Sequence, residues 1–115
     1  MTAACLFCRI VAKEVPSRIV SEDSQAVAFE DINPQAPTHL LVVPKRHLDN
    51  LLQLEERDPA LIGHLILLVN RLARERHVAE PGYRVVINCG AHGGQTVAHL
   101  HLHLLGGRPM LWPPG

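Results

Sequence analysis

Residues 97–105 read Val-Ala-His-Leu-His-Leu-His-Leu-Leu, three histidines alternating strictly with leucines. Alternation of period two belongs to a half-buried β-strand, whose successive side chains point to opposite faces. The pattern predicts one strand over 97–105, with its leucines on a core and its imidazoles lined up on the other face. Neighbouring imidazoles would then stand about 7 Å apart. Histidine titrates near neutral pH and serves as nucleophile, acid, base or metal ligand. A solvated strand face would more naturally carry Thr, Lys, Glu or Arg, and an affinity tag would run its histidines together. His99, His101 and His103 are therefore read as a site.

The rest of the chain supplies a frame for that strand. Residues 5–12 are apolar and short enough for one or two helical turns, closed off by Pro16. Residues 18–20 and 26–29 read as two strands joined by a turn at 22–24. The breaker-rich stretch 31–37 is loop, and 39–43 is a strand stopped by Pro44. Asp58 is a good N-cap and Pro59 suits the first helical position. Leu61, Leu65, Leu68 and Leu72 follow at helical spacing, widened by Ile62, Ile66, Val69 and Ala73, until Pro81-Gly82 ends the run. Residues 83–88 read as a strand with Cys89 adjoining its end, and 90–95 as a loop. Short connections predict an antiparallel sheet with helices packed on one face, an α+β class. With 115 residues and no linker or repeat, residues 1–115 are read as a single domain.

Composition narrows the functional classes. Eleven basic and eleven acidic residues cancel, leaving no net positive field to hold a nucleic-acid polymer. Aromatic residues at 3% do not make a base-stacking platform. A small phosphorylated ligand needs only local donors. No apolar run reaches membrane-spanning length, and the first residues lack the basic and apolar regions of a secretory signal. An odd number of cysteines, three, does not suggest a disulfide framework, so a reduced, cytoplasmic protein is expected. Immediately before the histidine run, the glycine-rich loop 90–95 lets backbone N–H groups approach an anion. A phosphate held there would lie against the imidazoles of the next strand.

The run Gln95-Thr96-Val97-Ala98-His99-Leu100-His101-Leu102-His103-Leu104-Leu105 resembles the histidine triad motif, His-φ-His-φ-His-φ-φ with φ apolar. Residues 31–47, from Asp31-Ile32-Asn33-Pro34 to Pro44-Lys45-Arg46-His47, resemble the front half of the same family. The tail Gly106-Gly107-Arg108-Pro109-Met110-Leu111-Trp112-Pro113-Pro114-Gly115 resembles its nucleotide-binding (Hint) branch. That resemblance implies a five-stranded antiparallel sheet per subunit with one long and one short helix, the sheet continued across a homodimer. It implies hydrolysis of purine nucleoside 5′-phosphoramidates through a covalent nucleotidyl-histidine, with no cofactor required for catalysis. His101 would be the nucleophile, its tautomer fixed by the backbone carbonyl of His99. His103 would donate to a phosphate oxygen, and His39 would take part in proton transfer.

By the same resemblance Asp31 would accept from ribose hydroxyls, and Phe29 and Ile32 would form the slot for the base. Starting a turn at Asn33-Pro34 explains Asp31 nearly as well, and core packing explains the two apolar residues. Asn88, Gly94, Gln95 and Thr96 would meet the phosphate and 5′-oxygen, with Thr96 standing where the branch more often has serine. Trp112 would reach the partner subunit's site. Cys5-Leu6-Phe7-Cys8 follows no strand, which weakens a redox Cys-x-x-Cys reading. Zinc needs two further ligands, and the resemblance supplies His47 and His99. Many Hint proteins lack the cysteines, and two thiols on a short apolar helix also fit plain burial, so structural zinc stays open. His64, His77 and His92 are read as surface or packing residues, and Cys89 as core.

Alternatives remain within the family and outside it. Within it, a dinucleoside polyphosphate hydrolase would share the nucleophile; from another class, a nucleotide- or protein-binding regulatory module would keep the site without turnover. A metallohydrolase with all three triad histidines on one ion is disfavoured. The outer two lie about 13 to 14 Å apart along a strand, too far to converge.

Overall fold

The computed structural model describes residues 5–115; the sequence reading of the first four residues lies outside them. Leu6–Val11 form helix α1, and strands β1 (Ile19–Glu22), β2 (Ala26–Glu30) and β3 (Thr38–Pro44) follow. A 3₁₀ turn at Leu51–Gln53 leads to the long helix α2 (Pro59–Glu75), then β4 (Tyr83–Val86) and β5 (Leu102–Gly106). The five strands form one sheet in the order β1-β2-β3-β5-β4. Every neighbouring pair is antiparallel.

Strand β3 is central, and all seven of its residues are buried. Its two faces meet different partners. Leu40 and Val42 join Ala26, Ala28, Leu102 and Leu104 against Leu65, Leu68, Val69 and Leu72 of α2. Leu41 and Val43 join Val27 and Phe29 against Phe7 and Ile10 of α1. The two helices therefore cover opposite faces of the sheet, correcting the expectation that both pack on one. Alternation on β2 placed alanines toward the long helix and larger residues toward the short one. Among the described residues no helix is long and apolar enough to cross a membrane.

Leu104 sits at the centre of the α2 side, fully buried and in register with Leu40 on β3 and Val85 on β4. Leu104→Ala is expected to cost about 2–5 kcal/mol, through lost transfer energy and the cavity left behind. The check is the urea midpoint at unchanged slope.

Three sequence expectations change at element ends. Asp58 precedes α2 but its carboxylate does not cap the helix. It accepts instead from the Glu55 amide and the Arg46 guanidinium, both at 2.8 Å, tying the loop to the end of β3. Those bonds hold its carboxyl below the usual range. Helix α2 stops at Glu75, well before Pro81-Gly82. His77 turns left-handed there (φ 60°), and the Val78 amide bonds back to the Ala73 carbonyl. Strand β4 ends at Val86, so half-buried Cys89 lies outside it and is not core.

The largest change concerns the histidine run itself. Strand β5 begins only at Leu102, so His99 and His101 precede it. Opposite them β3 has reached Pro44, which has no N–H to offer. Its carbonyl accepts from the His99 ring at 2.9 Å, and the Leu100 amide donates to the Leu48 carbonyl at 2.7 Å. The ladder is thus replaced by bonds to the 44–48 segment. Leucines 100, 102 and 104 still reach the α2 core, while His99 and His101 are buried beneath α1 rather than displayed.

Candidate active site

The register of β3 and β5 sets the geometry of the imidazole cluster. Leu41 opposes His103 and His39 opposes Leu105, which puts His39 and His103 diagonally on the α1 face. The Gln35 amide donates to His39 Nδ1 at 3.0 Å. A neutral His39 therefore carries its proton on Nε2, which lies 2.9 Å from His103 Nδ1. The Asp31 carboxylate lies farther off, at 3.4 Å from the same nitrogen. Accepting at Nδ1 leaves neutral His103 protonated on Nε2, a donor for the pocket it lines.

His101 is fixed the other way round. Its Nδ1–H donates to the His99 carbonyl at 2.6 Å, which leaves Nε2 with a free lone pair. The Phe7 ring stands edge-on to His101 at 5.1 Å, and His103 lies 5.0 Å away between centroids. Burial lowers the basicity of His39 despite Asp31. Burial, with His101 and His39 adding to it, lowers His103 to about 4. Both rings are neutral at pH 7.

These protonation states are measurable. Nitrogen-detected NMR at pH 7 is expected to find the Nδ1–H tautomer at His101 and Nε2–H at His39 and His103. Since His103 titrates lower in the folded chain than the ordinary 6.5, the unfolded chain takes up more protons between those values. This contribution to stability is complete above pH 6.5 and is lost as the pH falls toward 4. The urea midpoint should decline over that window, and His103→Phe should flatten the decline.

The pocket in front of these imidazoles has a volume of about 350 Å³, within the range of small-molecule sites. Phe7, Ile10, Phe29, Ile32 and Leu41 form its apolar part, and Asp31, Thr96, His101 and His103 its polar part. Phe29 is buried and packs edge-on against Phe7 at 5.3 Å. Ile32 is 96% exposed at the pocket rim, so core packing does not explain it. Asp31 accepts from the Asn33 amide at 2.8 Å, starting the turn while its other oxygen faces His39.

The glycine-rich loop is only partly available to an anion. The Gly94 amide bonds to the Ala91 carbonyl and the Gln95 amide to the Gly90 carbonyl, both at 3.1 Å. Gly94 needs its positive φ of 83° for this turn. Thr96 reaches the pocket, whereas Asn88, Gly94 and Gln95 do not line it. Trp112 is 82% exposed on the tail and stands clear of the pocket within this chain.

His99 belongs to a second cluster. Its imidazole is fully buried, and donation from Nε2 to Pro44 leaves Nδ1 bare. That Nδ1 lies 3.3 Å from Cys5 Sγ, 3.5 Å from Cys8 Sγ and 3.1 Å from His47 Nδ1. Cys8 Sγ is 3.1 Å from His47 Nδ1, and His47 Nε2 meets the Asp49 carboxylate at 2.7 Å. A tetrahedron with zinc–sulfur and zinc–nitrogen bonds of normal length has edges of about 3.3–3.8 Å. The four separations, 3.1–3.5 Å, lie at the short end of such edges, and all four donor atoms fall within 4.8 Å of one another, so the set suits such a site. Each histidine also spends its other nitrogen on an oxygen, as ligating imidazoles do. Without a cation, two bare nitrogens would face each other. Burial and the adjacent Cys5 thiol push the Cys8 thiol up to about 11. The imidazole of His99 thus stands with the thiols, while its carbonyl holds the His101 ring.

Sequence reasoning passed over Phe7, Gln35 and Asp49. Phe7 was hidden by the cysteines on either side of it, and Gln35 acts through its amide, which no side-chain pattern reports. Asp49 carried a signal, being an acid two residues beyond a candidate ligand. His64, read as a surface or packing residue, is half-buried and meets Asp23 at 2.8 Å.

The fold has close counterparts. The HIT domain model matches residues 12–110, and the chain belongs to that family. It is 50% identical to an uncharacterized HIT-like protein of Synechococcus elongatus over the full length of both. It is also 50% identical to a 14 kDa zinc-binding protein of Zea mays, covering 96% of this chain and 87% of that one. A HIT family hydrolase from Legionella pneumophila superposes with a TM-score of 0.95 at 48% identity, covering 96% of this chain and 99% of that one.

Proposed function

We propose that this protein is a Hint-branch hydrolase that cleaves the P–N bond of purine nucleoside 5′-phosphoramidates. One observation carries the reading: His101 has a free Nε2, held by the His99 carbonyl, beside a neutral His103 whose Nε2 bears a proton. A lone pair and a donor side by side suit in-line attack on a phosphorus whose oxygens need stabilising. The His101 lone pair forms a bond to the α-phosphorus while the P–N bond breaks and its electron pair stays on the amine. The relay from His39 to His103 is arranged to move the proton that the amine requires. Water then attacks the phosphorus and returns a proton to the relay, the bond to His101 breaks with its electron pair left on Nε2, and nucleoside monophosphate leaves. The Asp31 carboxylate faces the ribose hydroxyls, and Phe7, Phe29 and Ile32 hold the base.

A structural zinc bound by Cys5, Cys8, His47 and His99 is part of the proposal, supported by the donor geometry and by the Zea mays relative's name. It stands apart from the catalytic nitrogens. A homodimer is the third part, with residues 1–115 as one domain in each subunit. On α2, Leu67 is 68% exposed and adjoins the half-exposed Ile66, which leaves an apolar face for a second copy. Trp112 would act across that dimer. A reduced, cytoplasmic setting suits three free cysteines.

The test is turnover of an adenosine 5′-phosphoramidate carrying a fluorescent amine, run beside a dinucleoside polyphosphate. Preferred release of the amine is expected. Preferred cleavage of the polyphosphate would move the protein to another branch, and binding of AMP without turnover would make it a regulatory module.

A further inference from the structure

Two groups of side chains in this chain share residues, and the sharing has consequences for both. His99 offers its ring to the cysteine–histidine cluster and its carbonyl to His101 Nδ1 at 2.6 Å. Phe7 lies between Cys5 and Cys8 on α1, and its ring stands edge-on to His99 at 6.0 Å and to His101 at 5.1 Å. The same ring lines the pocket. A second route leaves the cluster through His47, whose Nε2 meets Asp49. Gln95 donates to the Asp49 carbonyl at 2.6 Å, and its own carbonyl oxygen accepts from the Gly90 amide at 2.9 Å. That bond closes the glycine-rich loop beside Thr96.

Part of the apolar wall of the pocket, Phe7 and Ile10, is thus carried by a six-residue helix too short to hold itself in place. Cys5, which accepts from the Cys8 amide, is its N-cap. Ligation of both thiols would clamp this helix to His99 and His47. We infer that metal binding by Cys5, Cys8, His47 and His99 and nucleotide binding in the pocket are reciprocally coupled, each strengthening the other. The inference rests on the nucleotide reading above and deepens it by naming a regulator of that site. A metal that stabilises the clamped arrangement stabilises the arrangement the nucleotide binds, and linkage requires the converse.

The experiment uses the full chain stripped of metal with a chelator and the same protein reloaded with Zn²⁺. AMP is titrated into both by calorimetry, and zinc affinity is read against a chromophoric chelator with and without saturating AMP. AMP is expected to bind about fivefold tighter or better to the zinc form, and zinc to tighten by the same factor with AMP. Equal AMP affinity in folded stripped and loaded protein overturns the coupling while leaving the nucleotide reading intact. No AMP binding by the loaded protein overturns both, and no zinc binding overturns the cluster assignment and the coupling with it. Loss of the near-ultraviolet circular dichroism on stripping also overturns it, because the metal would then support the whole fold. Phe7→Leu and Gln95→Ala each cut one route and leave the four ligands in place. At least one should bring the factor toward one, and an unchanged factor in both overturns the routes described.

Discussion

Replacing His101 with alanine is expected to lower kcat/KM for the adenosine phosphoramidate by on the order of 10⁴-fold or more, as loss of a nucleophile does. The affinity for AMP should change little, because Phe7, Phe29, Ile32 and Asp31 form the rest of the pocket and are untouched. His103→Ala removes one donor to the phosphate and should cost about 10²–10³-fold. The double variant should be no worse than His101→Ala alone, since a donor that assists an absent nucleophile has nothing to assist. The parent enzyme, quenched in alkaline denaturant during turnover, should carry a nucleotide on His101. A P–N bond survives base, so mass spectrometry of the quenched chain reads it directly. Turnover that persists in a folded His101→Ala protein would place the nucleophile elsewhere.

The side-chain alternation in residues 97–105 made the imidazole cluster legible, but it did not reveal where the strand begins. Alternation reports which face a residue takes, and Leu100, Leu102 and Leu104 kept theirs across the strand boundary. What it cannot report is whether the neighbouring strand still offers a ladder. That depended on Pro44, whose carbonyl went to His99. The consequence is functional, because the bend before Leu102 sends the first histidine to the thiols and leaves the next two to the pocket. Helix α2 was readable from its leucines, yet its end was not, because His77 supplies the left-handed turn that glycine usually provides. The short helix α1 was visible as an apolar segment. Its position on the opposite face from α2 follows from the alternate residues of β2, a pairing that only the assembled sheet displays.

Zinc is expected to raise the melting temperature of the stripped protein by about 15 °C or more. A ligand bound only by the folded state adds about 4.1 kcal/mol when its free concentration exceeds Kd a thousandfold. For a domain of this size each kcal/mol moves the midpoint by about 4 °C or more. The four donors come from three separate stretches of chain, 5–8, 47 and 99, so the unfolded chain has no preformed site. Cys8→Ala should abolish the zinc response, whereas Cys89→Ala, a thiol outside the cluster, should leave it intact. Asp49→Asn should weaken zinc about 10- to 100-fold, because the carboxylate holds His47 through its far nitrogen. Substituting a ligand also leaves a bare nitrogen or thiol under α1, so the metal-free midpoint of Cys8→Ala should lie near that of the stripped parent. A melting curve indifferent to zinc in the parent would reduce the cluster to one buried and one half-buried thiol beside two histidines. The 3.1 Å approach of His47 Nδ1 to His99 Nδ1 would then require a proton between them, and nitrogen NMR would find it.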